Sequence, residues 1–477
     1  TIALAPPPTA WRPCDAGRSG GSLVGGPAIK SPPADLGGRT AATPAVRAVT
    51  GAVLVAVASQ RRRRRDSGPG AALRVLSLGS AGGRGPGRAR GEEEEAAMSR
   101  CYLHLLGKAE EAKLQAMRER VPSVVAKVRE QCNAAAAGEH LRIWGVDIEA
   151  QSHASDIVLL KFVRAEDLSV ERAAERLEQT LKFRADSGLD SLVDQELPQH
   201  FQGHDTIGGM DAEGRPLMIS RYGKMDNQKV FGDPDAFVRY RLQIMEEAMA
   251  QLRFEAGALE DLCQIHDYSG VSLLFKSDEV KNGVAAMTKV FSAHYPETKG
   301  KTIFVKFPLL FSKLFQAFSI FIPEKTRKKF IILGEADHTM LFDHVPPEVL
   351  PEDMGGMLAA PGAAGRGLTG RCQSASLGPR QSEVMELAQV ASAPATVAWE
   401  LRVCSHDVAY ELFFEPENGG QEQLVAKSEP REPLLASQGV LRGEYLASEA
   451  GVLRCRFRNE KAWFQHRLCL SRAECVA

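Results

Sequence analysis

Nine bulky apolar residues, Leu309, Leu310, Phe311, Leu314, Phe315, Phe318, Ile320, Phe321 and Ile322, crowd into residues 308–322. A β-rich run, TIFVKF (302–307), leads into this segment. A basic turn, KTRKK, and a second β-rich run, FIIL (330–333), follow it. A helix that is apolar on most of its faces needs burial, a membrane or a greasy ligand. The segment is shorter than the roughly 20 residues of a bilayer span. Two readings fit: an ordinary buried helix between strands, or a mobile apolar lid with cations at its exit.

The rest of the composition narrows the class. A chain of 477 residues has room for two or three domains. Its formal charge is −1, but residues 1–91 carry fourteen Lys and Arg against three Asp. The remainder is acidic overall, so a basic nucleic-acid-binding domain is not expected outside that prefix. The nine cysteines are scattered, with no CxxC pair and an odd total. That pattern predicts reduced cytosolic thiols rather than a disulfide framework. Residues 49–58 are apolar, but five arginines follow at 61–65 and the stretch lies far from the start. Neither a secretory signal nor a transmembrane helix is expected.

Residues 1–97 are rich in Gly, Ala, Pro and Arg and show no sustained period. They read as a disordered tail, an Arg-rich transit peptide, or a non-native extension ahead of Met98. Composition favours disorder or the extension, and no fold is expected there. Residues 103–192 read as helices, with one apolar stripe at Ile157, Leu159, Leu160 and Val163 and another at Leu177, Leu181 and Phe183. Residues 193–358 alternate strand and helix: a strand at 214–223, a long helix at 236–256, a strand with a turn at 262–274, and a helix at 280–294. That alternation predicts a mainly parallel sheet with helices packed on it. Residues 359–386 are small and polar and read as a linker. From 387 to 477 strict alternation takes over, as in Val397, Trp399, Leu401 and Val403, or Ala462, Phe464, His466, Leu468 and Leu470. Short alternating strands broken by NGG (418–420) and Pro predict an antiparallel β-sandwich, with Trp399 and Trp463 in its core.

The segments GRPLMI, HDYSGVSL, YPETKGKTIFVKFP, EKTRKKFIILG and LPEDMGG occur in the order seen in the CRAL-TRIO lipid-binding fold, which the middle of this chain resembles. KFVRAEDLSVERA (161–173) resembles that family's helical lead-in. VAYELFFEPE and GVLRCRFRNEKAWFQHRLCLS resemble the Golgi-dynamics (GOLD) β-sandwich. Together they resemble the supernatant protein factor and tocopherol-associated branch of the yeast phosphatidylinositol transfer protein family. The implied fold is an α/β CRAL-TRIO domain with a helical lead-in, then an all-β antiparallel GOLD-like sandwich, behind a disordered N-terminal extension.

The resemblance implies site residues. Thr326 and Lys329 match positions that contact an inositol phosphate, and a hydroxyl with a cation on one turn suits a phosphate. A solvated basic helix cap explains the same residues. Glu297 matches a carboxylate that orients the basic residues. Leu310, Phe311, Leu314, Phe315, Phe318, Phe321 and Ile322 would form a gate helix that opens at a membrane surface and closes over ligand. Two departures stand out. Glu166 replaces an arginine of the phosphoinositide binders, and Met218, Leu262 and Gln264 replace polar choline-phosphate contacts. Two of those three are apolar, so a buried phosphate beside them would lack partners. The pocket suits a neutral hydrophobe better: a tocopherol, squalene, retinoid or sterol-like molecule, with phospholipid as the alternative.

Catalytic chemistry has little support. His266, Asp267 and Ser269 lie close together, but no GxSxG elbow occurs. Cys263 and His266 lack further metal ligands at suitable spacing. P-loop, HExxH and GxGxxG fingerprints are absent. The expected function is a cytoplasmic, non-enzymatic carrier that binds one hydrophobic lipid and no other cofactor. It would exchange the lipid at membranes such as Golgi or endoplasmic reticulum. The alternative is a lipid-sensing adaptor in trafficking or signalling whose GOLD-like domain binds protein partners.

Overall fold

The structure is a computed structural model that describes residues 101–132, 141–271, 278–307, 327, 329–360, 368–428, 432–460 and 462–476. All of them belong to one compact unit, Thr40–Ala477. The expectations for residues 1–97, for Thr326 and for the gate segment 308–322 lie outside the described residues.

A helical layer comes first. Helix α1 (Lys108–Gln131) places Glu110 and Glu111 in its first turn and Arg129 in its last, complementing the helix dipole. A short hairpin of β1 (Arg142–Ile143) and β2 (Val146–Asp147) follows. Helix α2 (His153–Ala165) starts from a reciprocal Ser152–Ser155 cap. Its stripe of Ile157, Leu159, Leu160 and Val163 is fully buried. Helix α3 (Val170–Ser187) is capped by Ser169 and stops at Gly188, which takes the left-handed conformation at φ 60°. These residues form the main core cluster together with one face of the sheet.

The five-stranded sheet has the order β3 (Asp205–Met210), β4 (Pro216–Arg221), β5 (Leu262–Asp267), β6 (Lys299–Val305), β7 (Phe330–Leu333). β3 pairs antiparallel with β4, and the remaining pairs are parallel. The sequence between β4 and β5 supplies α4 (Asn227–Phe231) and α5 (Pro234–Met249), each capped by an aspartate, Asp226 and Asp233. α6 (Asp278–His294) precedes β6. Alternation sorts the strands into two faces. Leu217, Ile219, Cys263, Ile265, Ile303, Val305 and Leu333 pack beneath Leu341, Val345 and Leu350. Met218 and Leu262 face the helical layer.

The C-terminal part is a sandwich of two antiparallel sheets. One has the order β14-β10-β16-β8 and the other β12-β11-β15-β9, with β13 added to β11. The strands are β8 (Gln373–Leu377), β9 (Ser382–Val390), β10 (Ala395–Val403), β11 (Asp407–Pro416), β12 (Gln423–Lys427), β13 (Leu434–Leu435), β14 (Val440–Ala447), β15 (Gly451–Arg458) and β16 (Arg467–Val476). Trp399 lies in the core as expected, its ring against Gly443 opposite on β14. An added Cβ at Gly443 would sit 2.2 Å from that ring, so the close approach requires glycine.

Three expectations are corrected here. Residues 359–386 are not all linker: they contain β8 and the start of β9. Ser-rich composition hid a strand whose inward residues are Ala375 and Leu377. The alternation at 462–470 does not make one strand, because β16 begins only at Arg467. Asn459 ties the preceding loop down through its side chain. Trp463 is not core: it is 69% exposed.

The sandwich sits on the residues that close the α/β region. Arg402 donates to the Gly356 carbonyl at 2.6 Å and Arg472 to that of Met357 at 2.9 Å. Met357 is fully buried against Cys404 and Leu470 of the sandwich. The LPEDMGG segment therefore serves as the seam between the two layers.

Candidate functional site

Open parallel sheets present ligands at the carboxyl ends of their strands. Here those ends carry an aromatic cluster. Tyr222 follows β4, His266 and Tyr268 end β5, and Phe304 and Phe307 end β6. Phe330 and Ile332 on β7 complete it. The register places Ser220, His266, Phe304 and Ile332 side by side on one face. Ring centroids are 5.3 Å apart for His266–Phe304, 4.9 Å for Tyr268–Phe307 and 5.1 Å for Phe304–Phe307. Phe304 and Phe307 are buried, whereas Tyr222, His266, Tyr268, Phe330 and Ile332 are half-buried. The turn that carries Tyr222 is held close: a Cβ on Gly223 would meet the Ser269 carbonyl oxygen at 1.6 Å.

Polar groups in this face are few. The Tyr222 hydroxyl and His266 Nδ1 share a hydrogen bond of 2.9 Å. Burial holds the His266 imidazole down at about 3, with the Lys299 and Arg241 cations adding to the effect. Burial lowers Lys299 itself to about 8. Lys299 is half-buried, and no carboxylate among the described residues pairs with it. A cation in that position favours a ligand that brings an acceptor oxygen.

The residues singled out from sequence fall at different places. Met218, Leu262 and Gln264 lie on the same sheet face but are buried beneath α5, where Gln264 Nε2 reaches the Met245 sulfur at 4.0 Å. Lys329 opens β7 and donates to the Lys299 carbonyl at 3.0 Å. Lys299 and Phe304 sit about 16 Å apart along β6 by strand rise. Lys329 and Lys299 thus lie toward the end of the strands opposite to Phe304 and Phe307. Glu297 is exposed with φ 50°, and its carbonyl accepts from buried Lys161 at 2.9 Å. Its carboxylate bonds to no described residue. Glu166 is held by Arg176 at 2.8 Å and Arg172 at 3.4 Å. Its charge is therefore balanced locally.

Ser269 Oγ donates to Asp267 at 2.5 Å, while His266 Nδ1 is engaged by Tyr222. The three residues that suggested a triad are not linked in series. Among the described residues no group of three His, Cys, Asp or Glu is placed to hold a metal ion. No described helix is long and apolar enough to cross a membrane.

Sequence reasoning missed Tyr222, Phe304, Phe330, Ile332 and Lys299 as a group. The available signal was strand parity: once the register across β4 to β7 is known, Phe304, Phe330 and Ile332 fall in phase with Gln264, and Lys299 lies opposite Leu262.

The CRAL/TRIO domain model matches residues 200–356, the segment that builds the whole sheet. Phosphatidylinositol transfer protein SFH5 of Cryptococcus neoformans is 33% identical over 247 residues, 47% of this chain and 80% of that protein. The chain belongs to the CRAL/TRIO family. Patellin-2 of Arabidopsis thaliana is 29% identical to this CRAL/TRIO chain over 320 residues, 66% of it and 46% of Patellin-2. Patellin-4 is 25% identical over 318 residues. The chain matches about half the length of the patellins, and these matches extend well beyond residues 200–356. The crystal structure of Sfh5 aligns with 52% of this chain and 88% of its own at 23% identity, with a TM-score of 0.45.

Two histidines make the fold acid-sensitive. Burial holds His294 down at about 4, with Arg176 and Arg184 nearby, and its ring stacks 4.1 Å from Phe183. Both imidazoles are neutral when folded and take up a proton on unfolding below pH 6.5. Their contribution is complete above about pH 6.5 and lost as pH falls toward 3 to 4. Each adds a slope of at most about 1.4 kcal/mol per pH unit in that window. Urea unfolding between pH 7 and 5 should show this slope, and His294→Gln should remove its share. An unchanged slope in that variant contradicts a neutral buried imidazole.

Proposed function

We propose that the CRAL/TRIO domain holds one elongated hydrophobic lipid along the inner face of its sheet. Its apolar body lies on Phe304, Phe307, Tyr268 and Ile332, and an oxygen-bearing end faces Lys299. The observation that carries this reading is the aromatic cluster at the carboxyl ends of parallel strands, within the family segment, where Tyr222, His266, Tyr268 and Ile332 are half-buried. Burial of apolar area there would stabilise a ligand by roughly 25 cal/mol per Å2 before binding costs. The name of the fungal relative specifies phosphatidylinositol transfer. The apolar lining by Phe304, Phe307 and Ile332 favours instead a neutral hydrophobe with one polar end, such as a tocopherol or sterol-like molecule.

Residues 308–322 act in this reading as the gate, with Thr326 and Lys329 at its exit. β6, which precedes this segment, and β7, which follows it, are parallel neighbours. The protein works as a non-enzymatic cytoplasmic carrier that visits membranes to exchange its load.

A second reading is supported by the seam. Asp353 pairs with Arg221 at 2.9 Å and Lys224 at 2.7 Å, on either side of Tyr222. The adjacent Glu352 pairs with Arg442 of the sandwich. Lipid occupancy at Tyr222 can therefore bias how the sandwich sits, as a lipid-sensing adaptor requires.

Mass spectrometry of lipids that co-purify with the chain from a eukaryotic host tests the first reading. A neutral isoprenoid or sterol-type lipid is expected, and Ile332→Lys should lower its recovery at least tenfold. Phosphatidylinositol would move the ligand assignment to the Lys329 end. Recovery of no lipid would remove the carrier reading.

A further inference from the structure

The two consecutive aromatics Trp463 and Phe464 are the most exposed large hydrophobic residues described, at 69% and 90%. They form the tip of the loop between β15 and β16. Single exposed hydrophobics are ordinary, but an adjacent pair held out on a fixed loop is not. The base of this loop is tightly bonded. Buried Asn459 Nδ2 donates to the carbonyls of Leu377, Gly378 and Gln465 at 3.3, 2.9 and 3.0 Å. Arg467 donates to the Asp407 carbonyl at 3.0 Å, and to its carboxylate and the Gln465 side chain at 3.3 Å each. Ala462 is buried beneath them. The rings are therefore presented by a scaffold.

A cation accompanies them. The Arg380 guanidinium lies 4.1 Å from the Trp463 ring centroid, and the Arg380 amide donates to the Asn459 carbonyl at 2.9 Å. No described carboxylate forms an ion pair with Arg380, which is exposed. A cavity of about 300 Å3 opens beside the tip, lined by Asp407, Trp463, Phe464 and Arg467. Its two charged residues are already paired with each other.

We propose that this tip inserts into the headgroup region of a bilayer that carries anionic phospholipid. Trp and Phe would enter the acyl boundary and Arg380 would bind lipid phosphate. Area decides against a protein partner at this spot. Two aromatic side chains offer roughly 150–250 Å2 each, against about 800 Å2 per side in a stable protein interface. A bilayer needs no such matched area, since amphipathic aromatics partition into its interface individually. The contact is separate from the proposed gate, and it needs no lipid in the sheet cavity.

The test is co-sedimentation of the full chain with vesicles of phosphatidylcholine, with and without phosphatidylserine. The variants are Trp463→Ser/Phe464→Ser, Arg380→Gln and Trp463→Phe. The double variant should bind at least tenfold more weakly while its urea midpoint stays unchanged. Arg380→Gln should lose the preference for phosphatidylserine. Brominated lipid should quench the fluorescence of the wild-type chain more than that of Trp463→Phe. Undiminished binding by the double variant, or equal quenching in both chains, overturns the proposal. So does capture of a protein partner by the wild type and not the double variant when vesicle binding is equal. Lipid recovery by mass spectrometry is expected to be the same in all these variants, which separates this result from failure of the carrier reading.

Discussion

Asp205→Ala should cost the α/β region about 3–5 kcal/mol of unfolding free energy, the range for breaking a buried ion pair from one side. Asp205 on β3 accepts from Arg241 at 2.8 Å, from Ser220 at 2.6 Å and from the Tyr240 hydroxyl. The side chains of Arg241 and Asp205 are 2% and 4% exposed. Burial disfavours the Arg241 cation, yet the adjoining Asp205 carboxylate holds its pKa above the ordinary value. Remove the carboxylate and the guanidinium has no counter-charge while remaining out of water. Arg241 Nε already lacks a hydrogen-bond partner among the described residues, so little remains to absorb the loss. Asp205→Asn keeps part of the hydrogen bonding and should cost less. Asp205→Ala combined with Arg241→Met should recover stability, because the stranded charge goes as well. Urea unfolding of the three variants gives the comparison, and a cost below 1 kcal/mol for Asp205→Ala would refute the argument.

The second large effect is expected at the seam. The Glu400 carboxylate on β10 lies between Arg442 at 2.8 Å and Arg472 at 2.7 Å. Side-chain exposure is 2% for Glu400 and 3% for Arg472. Arg472 also reaches the Met357 carbonyl, and Arg442 reaches Glu352, so one carboxylate aligns both cations that grip the α/β region. Glu400→Ala leaves Arg472 buried and unpaired, again at about 3–5 kcal/mol. The loss should also loosen docking, seen as faster amide exchange across 350–358. Glu411 offers the contrast. It pairs with Arg456 at 2.7 Å and Arg458 at 2.6 Å, but all three are about a third exposed. Glu411→Ala should cost no more than about 1 kcal/mol. Equal effects at Glu400 and Glu411 would mean that burial is not what distinguishes them.

Much of the fold could be read along the chain because it depends on local period. FIIL is the strand Phe330–Leu333, and the helix expected at 280–294 is Asp278–His294. The helix expected at 236–256 runs Pro234–Met249. Its start is set by Asp233, whose side chain accepts from two amides of the first turn. Its apolar continuation, Leu252 and Phe254, is buried without being helical. Hydrophobic pattern reports burial, and it extends past the point where a helix stops. The same ambiguity produced the error at 462–466, where alternating residues belong to a bonded loop. At β8 the reverse happened: small polar residues with two inward side chains, Ala375 and Leu377, carried too weak a pattern to be seen.

The candidate site was legible in outline only. Sequence placed cations beside β7 and apolar residues on β4 and β5. It could not show that Met218, Leu262 and Gln264 would be covered by α5, leaving the aromatic end of the same face half-buried. His266 looked like a turn residue. In the structure it stands between Tyr222, which follows β4, and Phe304 on β6.

The sequence alone determined the order of helices and strands, the split into an α/β part and a β-sandwich, and the family. Each of those depends on periodicities and motifs a few residues long. The tertiary structure alone decided which residues share a face with His266, that Gly356 and Met357 form a seam gripped by Arg402 and Arg472, and that Trp463 faces solvent. Those outcomes depend on register and on which distant surface covers each face. Period-2 alternation says that a side chain lies on one face of a strand, but not whether a helix, a second sheet or water lies above it.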